Sequence, residues 1–332
     1  MNARFGDPDL RVFRDLPHGS VFFAAVPMYW YMTESGPLQF ILLLISCIAF
    51  LAFLAATLAG TRGRSGTDGE PYPPEGILRA AFVSGVIGWT GMVLLLFSEL
   101  PYYISLNNFL YPLIAVLSVP FLYITAKFLL RGNPLMVRLT MAASVAFLLY
   151  APFEYIEPLG NWLIGVVAGE VQFLLVTLFG FPSYMDAWNI IRMGGFRVEI
   201  ILACTGVQSI AIMLGITAAV PTTTRQKILA FLLVAPTIYI LNLFRNVFVV
   251  MAYTGQWFPY YPEIAGNGEI GYESFFWAHN VMAEIGALII LVLIAYGLFR
   301  LIPQLGDYAR DLFDFYCREV KRISGKDTGS SG

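Results

Sequence analysis

The chain has 332 residues, of which 58% are hydrophobic and 13% charged, and its mean hydropathy is +0.70. A soluble domain of this size could not cover so much apolar surface with a polar exterior. A formal net charge of -2 and a pI near 5.8 provide no positive field for nucleic acid, and three cysteines, with Cys47 and Cys204 inside apolar runs, provide no disulfide framework. The composition specifies an all-α, polytopic integral membrane protein.

Residues 1–37 form a leader with one short apolar segment, Val21 to Met32, and with His18 among polar neighbours. That segment is short for a crossing and ends in Tyr-Trp-Tyr-Met-Thr-Glu, not in the small residues of a signal-peptide cleavage site. Apolar runs long enough to cross the hydrocarbon follow at Leu38 to Ala59, Ile77 to Phe97, Phe109 to Leu130, Val137 to Tyr155, Glu199 to Val220, Lys227 to Tyr253 and Phe276 to Ile302. With the leader segment this predicts about seven to eight transmembrane helices. Lys and Arg in the short loops near Arg62, Arg131, Arg225 and beyond Arg300 place those loops in the cytoplasm, whereas 98–108 and 151–161 carry neither and face outward.

One stretch conflicts with that count. Asn161 to Gly180 is long enough to cross but contains Gly165, Gly169 and Glu170, and a crossing there would break the parity between an outer 151–161 and an inner Arg225. It is therefore expected to be an interfacial or re-entrant helix on the outer face. The apolar residues around Gly194-Gly195 predict a small external hairpin before the helix that carries Cys204, at the cost of leaving Arg192 and Arg197 outside. After Pro303, Leu305, Tyr308, Leu312 and Tyr316 share one helical face beside Arg318, Lys321 and Arg322, the pattern of a helix lying on a membrane surface, and the Ser-Gly-rich end reads as disordered. The organisation is thus 1–37 leader, 38–160 N-terminal transmembrane helices, 161–302 catalytic core, and 303–332 cytoplasmic surface helix and tail.

Three reactive side chains stand at one level. At 1.5 Å per helical residue, Cys204 and Arg245 lie roughly 26 Å, and His279 roughly 31 Å, from the cytoplasmic ends of their spans. Taken singly, a membrane cysteine is ordinarily a packing residue, an outer-edge histidine an interfacial one, and an arginine near the boundary can snorkel. An arginine inside a span nevertheless costs about 2.5–3.5 kcal/mol on the insertion scale and calls for a partner. Asn242, Arg245 and Asn246 form one polar stripe; Gln208 is expected one turn below Cys204, and Asn280 and Glu284 to stack at i and i+4. A thiol, an imidazole and a fixed guanidinium suit acyl transfer through a thioester: Cys204 attacks, His279 moves the proton, and Arg245 binds the oxyanion. Glu199 and Glu284 read as orienting groups, Glu154 and Glu157 as solvated loop charges, and Cys317 as a bare thiol beside a basic helix. No cofactor is implied, and two histidines give no metal-ligand spacing.

The stretch Ala203-Cys204-Thr205-Gly206-Val207-Gln208-Ser209, the Asn242-x-x-Arg245-Asn246 helix and the His279-Asn280 helix resemble the archaeosortase/exosortase family over roughly Asn161 to Ile302. The resemblance implies a membrane-embedded cysteine transpeptidase with Cys204, Arg245 and His279 as its catalytic set. It also implies a substrate class: secreted proteins ending in a sorting signal made of a short motif, Pro-Gly-Phe-like in the archaeal branch, then a hydrophobic helix and a basic cluster. The cut product would be joined to a membrane lipid headgroup. Some members use Arg at the third position; Arg300, the later Arg of this span, sits at its cytoplasmic end, a bilayer away from the thiol. The competing reading is a transporter or channel with Arg245 and Glu284 lining the path. It requires polar residues through to the inner face, and Ile210 to Ile216 and Ile289 to Ala295 are nearly all apolar.

Overall fold

The computed structural model describes residues 36–62, 75–105, 110–266 and 270–323. The leader, with Val21 to Met32 and His18, and the Ser-Gly-rich end lie outside the described residues. In chain order the elements are α1 (Gly36–Arg62), α2 (Glu75–Ser98), α3 (Leu110–Leu129), α4 (Pro134–Tyr155) and α5 (Glu157–Leu178), then strands β1 (Tyr184–Ala187), β2 (Ile190–Met193) and β3 (Phe196–Glu199), followed by α6 (Val207–Thr217), α7 (Thr224–Thr254), α8 (Tyr272–Leu301) and α9 (Pro303–Ile323). Short helical turns occupy Leu100–Ser105 and Pro262–Ala265. Among the described residues seven helices are long and apolar enough to cross a membrane: Leu38–Ala59, Gly76–Ser98, Pro112–Leu129, Pro134–Tyr155, Glu157–Leu178, Thr224–Thr254 and Tyr272–Leu301. This is an all-α polytopic membrane protein with one small sheet.

Six of the seven predicted spans recur, and one is exchanged. The run Glu199 to Val220 is not a single helix: it comprises the last residue of β3, a 3-10 turn at Leu202–Thr205, Gly206 at φ +77°, and the 11-residue α6, about 16 Å long and too short to cross alone. In its place Glu157–Leu178 is helical without a break and long enough to span, its last turn widened into a π-helix at Leu174–Leu178. The parity argument against 161–180 assumed that 199–220 crosses as one rod. An apolar run reports burial and not helicity, so the assumption failed at Gly206.

The chain divides into two compact units. The first is built from Pro158–Gly206 and Tyr239–Val292. Its core joins Val167, Ala168, Val171 and Leu175 of α5 to Ile191 and Val198 of the sheet and to Leu243, Val247, Val250 and Tyr253 of α7. The sheet is antiparallel with strand order β1-β2-β3. The predicted hairpin is β2–β3, turning at Gly194-Gly195 with Gly194 at φ +57° and Met193 opposite Phe196; β1 adds a third strand. Arg192 and Arg197, costly when left unpaired, converge on Asp186 at 3.7 and 2.6 Å.

The second unit comprises the described parts of Val26–Glu157, Val207–Ile238 and Leu293–Gly332. Phe50, Phe53, Trp89, Ile124, Leu129, Met136 and Phe315 make its core. Small residues let the helices close up: a Cβ on Gly215 would lie 2.6 Å from the Ala142 carbonyl, and one on Gly88 would meet the Phe50 ring. Trp89 Nε1 donates to Thr140 Oγ1 at 3.1 Å, satisfying an otherwise costly indole N–H. Helix α9 has the one-sided apolar face expected after Pro303. Its apolar side is turned to the protein's own helices, with Leu305, Tyr308 and Phe315 buried, Tyr308 donating to the Leu135 carbonyl, and Tyr316 stacked on Phe121 and hydrogen-bonded to Thr125. Burial pushes the Tyr316 phenol up to about 12, so it stays neutral in this contact.

Candidate active site

Cys204, Arg245, His279 and the side chains that hold them all belong to the first unit. β3 is extended through Ile201, and the chain then tightens into the 3-10 turn carrying Cys204, closed by Cys204 N–H donating to the Ile201 carbonyl at 2.8 Å and by Thr205 Oγ1 donating to Leu202 at 2.7 Å. The turn stops at Gly206, whose left-handed φ of +77° only glycine adopts without strain. A Cβ there would also press on Asn242 at 3.3 Å, so Gly206 lets the turn lie close against α7.

Helix α7 anchors that turn. Asn242 and Asn246, one turn apart, both donate their side-chain N–H to the Cys204 carbonyl, at 2.5 and 2.7 Å. The end of a 3-10 turn leaves carbonyls without intrahelical donors, and two amides take up both lone pairs of this one. Asn246 is buried at 4% exposure, so its amide is committed to this contact. The stripe extends one step further than the sequence reading: Tyr239, three residues before Asn242, donates to Glu170 Oε2 of α5 at 2.6 Å. Glu170 was noted in the sequence as an obstacle to a span; a lone carboxylate in an apolar helix is better read as a request for a donor on a neighbouring helix.

Arg245 projects from the same helix to α8. Its Nη2 lies 3.4 Å from His279 Nε2 and 3.2 Å from Glu284 Oε1. Burial pushes the Cys204 thiol up, while its backbone hydrogen bond to Ile201 and the charge of Arg245 pull it back down in part. His279 is fixed on three sides: by Arg245, by Asn280 Oδ1 at 2.7 Å from Nδ1, and by the Phe275 ring stacked at 4.9 Å and 10°. Arginine only donates, so Nε2 is the accepting nitrogen and Nδ1–H donates to Asn280. His279 and Asn280 stand in a π-helical segment, Phe276–Ala283, so the predicted i, i+4 stacking of Asn280 with Glu284 is replaced by separate tasks: Asn280 holds His279 and Glu284 pairs with Arg245.

The predicted supporting residues therefore divide. Asn242, Asn246, Asn280 and Glu284 each contact a member of the set. Gln208 follows the left-handed Gly206 in the first turn of α6, where it is exposed. Cys47 and Cys317 are free thiols of the second unit. Among the described residues no three His, Cys, Asp or Glu side chains stand together as a metal-ligand set.

Comparison with known proteins places the chain in a family. The model of the transmembrane exosortase family (Exosortase_EpsH) matches residues 74–266, more than half of the chain, a stretch that includes Cys204 and Arg245 and ends before His279. Archaeosortase A of Haloferax volcanii is 26% identical over 254 residues, covering 69% of this chain and 81% of that protein. Archaeosortase A of Natronomonas pharaonis is 30% identical over 202 residues, covering 55% of this chain and 64% of that protein. No solved structure matches. The chain belongs to the transmembrane exosortase family, as a multi-pass membrane protein, and the matched residues include the Cys204 turn and the Arg245 stripe.

Proposed function

We propose that this chain is a sortase-like cysteine transpeptidase that cuts the C-terminal sorting signal of secreted proteins and passes the new C-terminus to a membrane lipid headgroup. The observation that carries the reading is the double amide clamp from α7 on the Cys204 carbonyl, next to an arginine of the same helix that reaches the imidazole of α8. A nucleophile, a charge to hold an oxyanion and a proton carrier are thereby attached to one rigid rod.

The chemistry runs in two halves. The Cys204 thiol gives its proton to His279 Nε2 and the sulfur adds to the scissile carbonyl carbon, whose oxygen becomes an oxyanion. Arg245 shifts its Nη2 from His279 to that oxygen, which frees the Nε2 lone pair at the moment it is needed. Collapse of the tetrahedral intermediate breaks the C–N bond; the departing amine takes the proton from His279, and the acyl group stays on sulfur as a thioester. An amine of a lipid headgroup then attacks the thioester carbonyl, losing a proton through His279 to the leaving thiolate and regenerating Cys204. Asn280 keeps Nδ1–H in place throughout, the role an orienting group plays for any catalytic imidazole.

Cys204 at the outer edge of the bilayer suits a signal whose apolar helix sits among the spans and whose basic end stays inside. Both relatives carry the name archaeosortase A, and the Pro-Gly-Phe-like motif of that branch is the first substrate to try. The test is mass spectrometry of the C-terminus of a secreted reporter bearing such a signal, with this chain present, absent or carrying Cys204→Ala. Loss of both cutting and lipid attachment in Cys204→Ala supports the reading; processing at the normal rate sinks it.

A further inference from the structure

The sheet beside the site has two edges, and they are not equivalent. On β1 the register with β2 is interrupted between Met185 and Ala187, a bulge that spoils the edge for pairing. β3 is regular along its whole length, and its last residues continue directly into the Cys204 turn.

The register tells which backbone groups of β3 are open. Ile200 N–H donates to the Asn189 carbonyl at 2.8 Å, so Ile200 and Asn189 form a hydrogen-bonded pair. By alternation Val198 and Phe196 bond to β2 as well, opposite Ile191 and Met193. Arg197, Glu199 and Ile201 then turn their N–H and C=O groups away from β2. The Ile201 carbonyl is taken by Cys204 N–H. The main-chain N–H and C=O of Arg197 and Glu199 and the N–H of Ile201 therefore face the outer side of β3, away from its partner strand β2. These five groups form a row that ends three residues before the thiol. Beside a membrane, unpaired strand groups are costly and call for a partner.

We propose that this edge binds the substrate segment on the N-terminal side of the cut, as a fourth strand added to β3, an inference that rests on Cys204 being the nucleophile. The direction follows from chemistry. The acyl part of the substrate must finish at Cys204, and β3 also finishes there, so the added strand runs parallel to β3. Main-chain pairing to Arg197 and Glu199 recognises an extended peptide whatever its side chains, so one enzyme can serve many secreted proteins, with sequence selectivity confined to the residues at the cut. The opposite face of β3 cannot host the peptide, because Val198 and Ile200 are buried in the core.

The experiment uses the full chain in membranes and a secreted reporter whose signal the wild-type chain processes. In a background of Cys47→Ala, Cys204→Ala and Cys317→Ala, Arg197→Cys, Glu199→Cys or Tyr184→Cys is introduced singly and oxidised against reporters with one cysteine at successive positions before the cut. Glu199→Cys is expected to cross-link nearest the cut and Arg197→Cys two residues further back, with no product from Tyr184→Cys on β1. The reverse order, or cross-linking through Tyr184→Cys instead, overturns the inference. With Cys204 intact, Glu199→Pro deletes the edge N–H and the side-chain acceptor of Asn189, whereas Glu199→Ala deletes only the acceptor. Turnover of the reporter should fall about 10-fold further in the proline variant than in the alanine variant, the effect of one main-chain hydrogen bond and its neighbour. Alkylation of Cys204 by a small reagent should be equal in the two. The two readings fail separately: processing that survives Cys204→Ala removes the nucleophile, while Cys204-dependent processing without cross-links to β3 removes only the docking edge.

Discussion

The two units differ in where many of their polar side chains find partners. In the second, hydroxyls fold back onto their own helix: Ser46 to Leu42, Thr90 to Val86, Thr125 to Phe121, Thr140 to Met136 and Ser144 to Thr140, each to the carbonyl four residues earlier. In the first, side chains reach across the structure to backbone carbonyls that irregular segments leave open. Asn242 and Asn246 go to Cys204, Asn189 to Ile200, Gln172 to Ser183, Gln256 to Gly271 and Trp277 to Tyr260. Regular helices need no outside donors; a 3-10 turn, two π-helical segments and a strand edge do. The lesson is that backbone irregularity inside a membrane protein is tolerated where protein supplies the partners.

The contrast can be broken by experiment, beginning with the largest effect. Cys204→Ala should lower reporter processing by at least about 1,000-fold, whereas Cys47→Ala and Cys317→Ala in the second unit should leave the rate unchanged. Arg245→Lys keeps the charge but loses the guanidinium whose Nη2 reaches both His279 and Glu284, and kcat should drop by roughly 100- to 1,000-fold with KM little altered. A pair of glycines separates site from scaffold. Gly206→Ala forces a side chain into a left-handed backbone and against Asn242, at a cost of about 1–3 kcal/mol, and should reduce turnover more than thermal stability. Gly215→Val in the second unit meets the Ala142 carbonyl and should do the reverse, lowering the melting temperature in detergent while surviving molecules turn over normally.

Asn246→Ala removes a buried donor from the Cys204 carbonyl while Asn242 remains; a loss of about 1 kcal/mol, or roughly 5-fold in turnover, is expected, and Asn246→Ala with Asn242→Ala should lose more than the two singles combined. The smallest effect belongs to Glu284→Gln. That carboxylate is 60% exposed, so its ion pair with Arg245 is weak, and processing should change by less than about 5-fold. A large loss there would mean that Glu284 does more than neutralise Arg245 between turnovers.

Reading the sequence succeeded wherever the quantity of interest runs along the chain. The stripe of Asn242, Arg245 and Asn246 was legible because helical spacing fixes which residues share a face, and the Gly194-Gly195 turn because two glycines between apolar runs leave a hairpin few alternatives. Counting along 199–220 as one helix is not what brings Cys204 to that stripe; β3 and the 3-10 turn bring it to α7, where the two asparagines hold its carbonyl. Strand β1 and the Tyr239–Glu170 bond were missed, since each depends on a partner far along the chain.

Composition and linear spacing, which need no fold, were enough to establish a polytopic membrane protein and to bring Cys204, Arg245 and His279 to notice together. Which apolar stretch stays helical, which carbonyl each amide finds and which nitrogen of His279 accepts were decided by tertiary structure alone. Those outcomes depend on the backbone of Gly206 turning left-handed and on donors arriving from helices remote in sequence, and no local pattern encodes where a remote donor will stand.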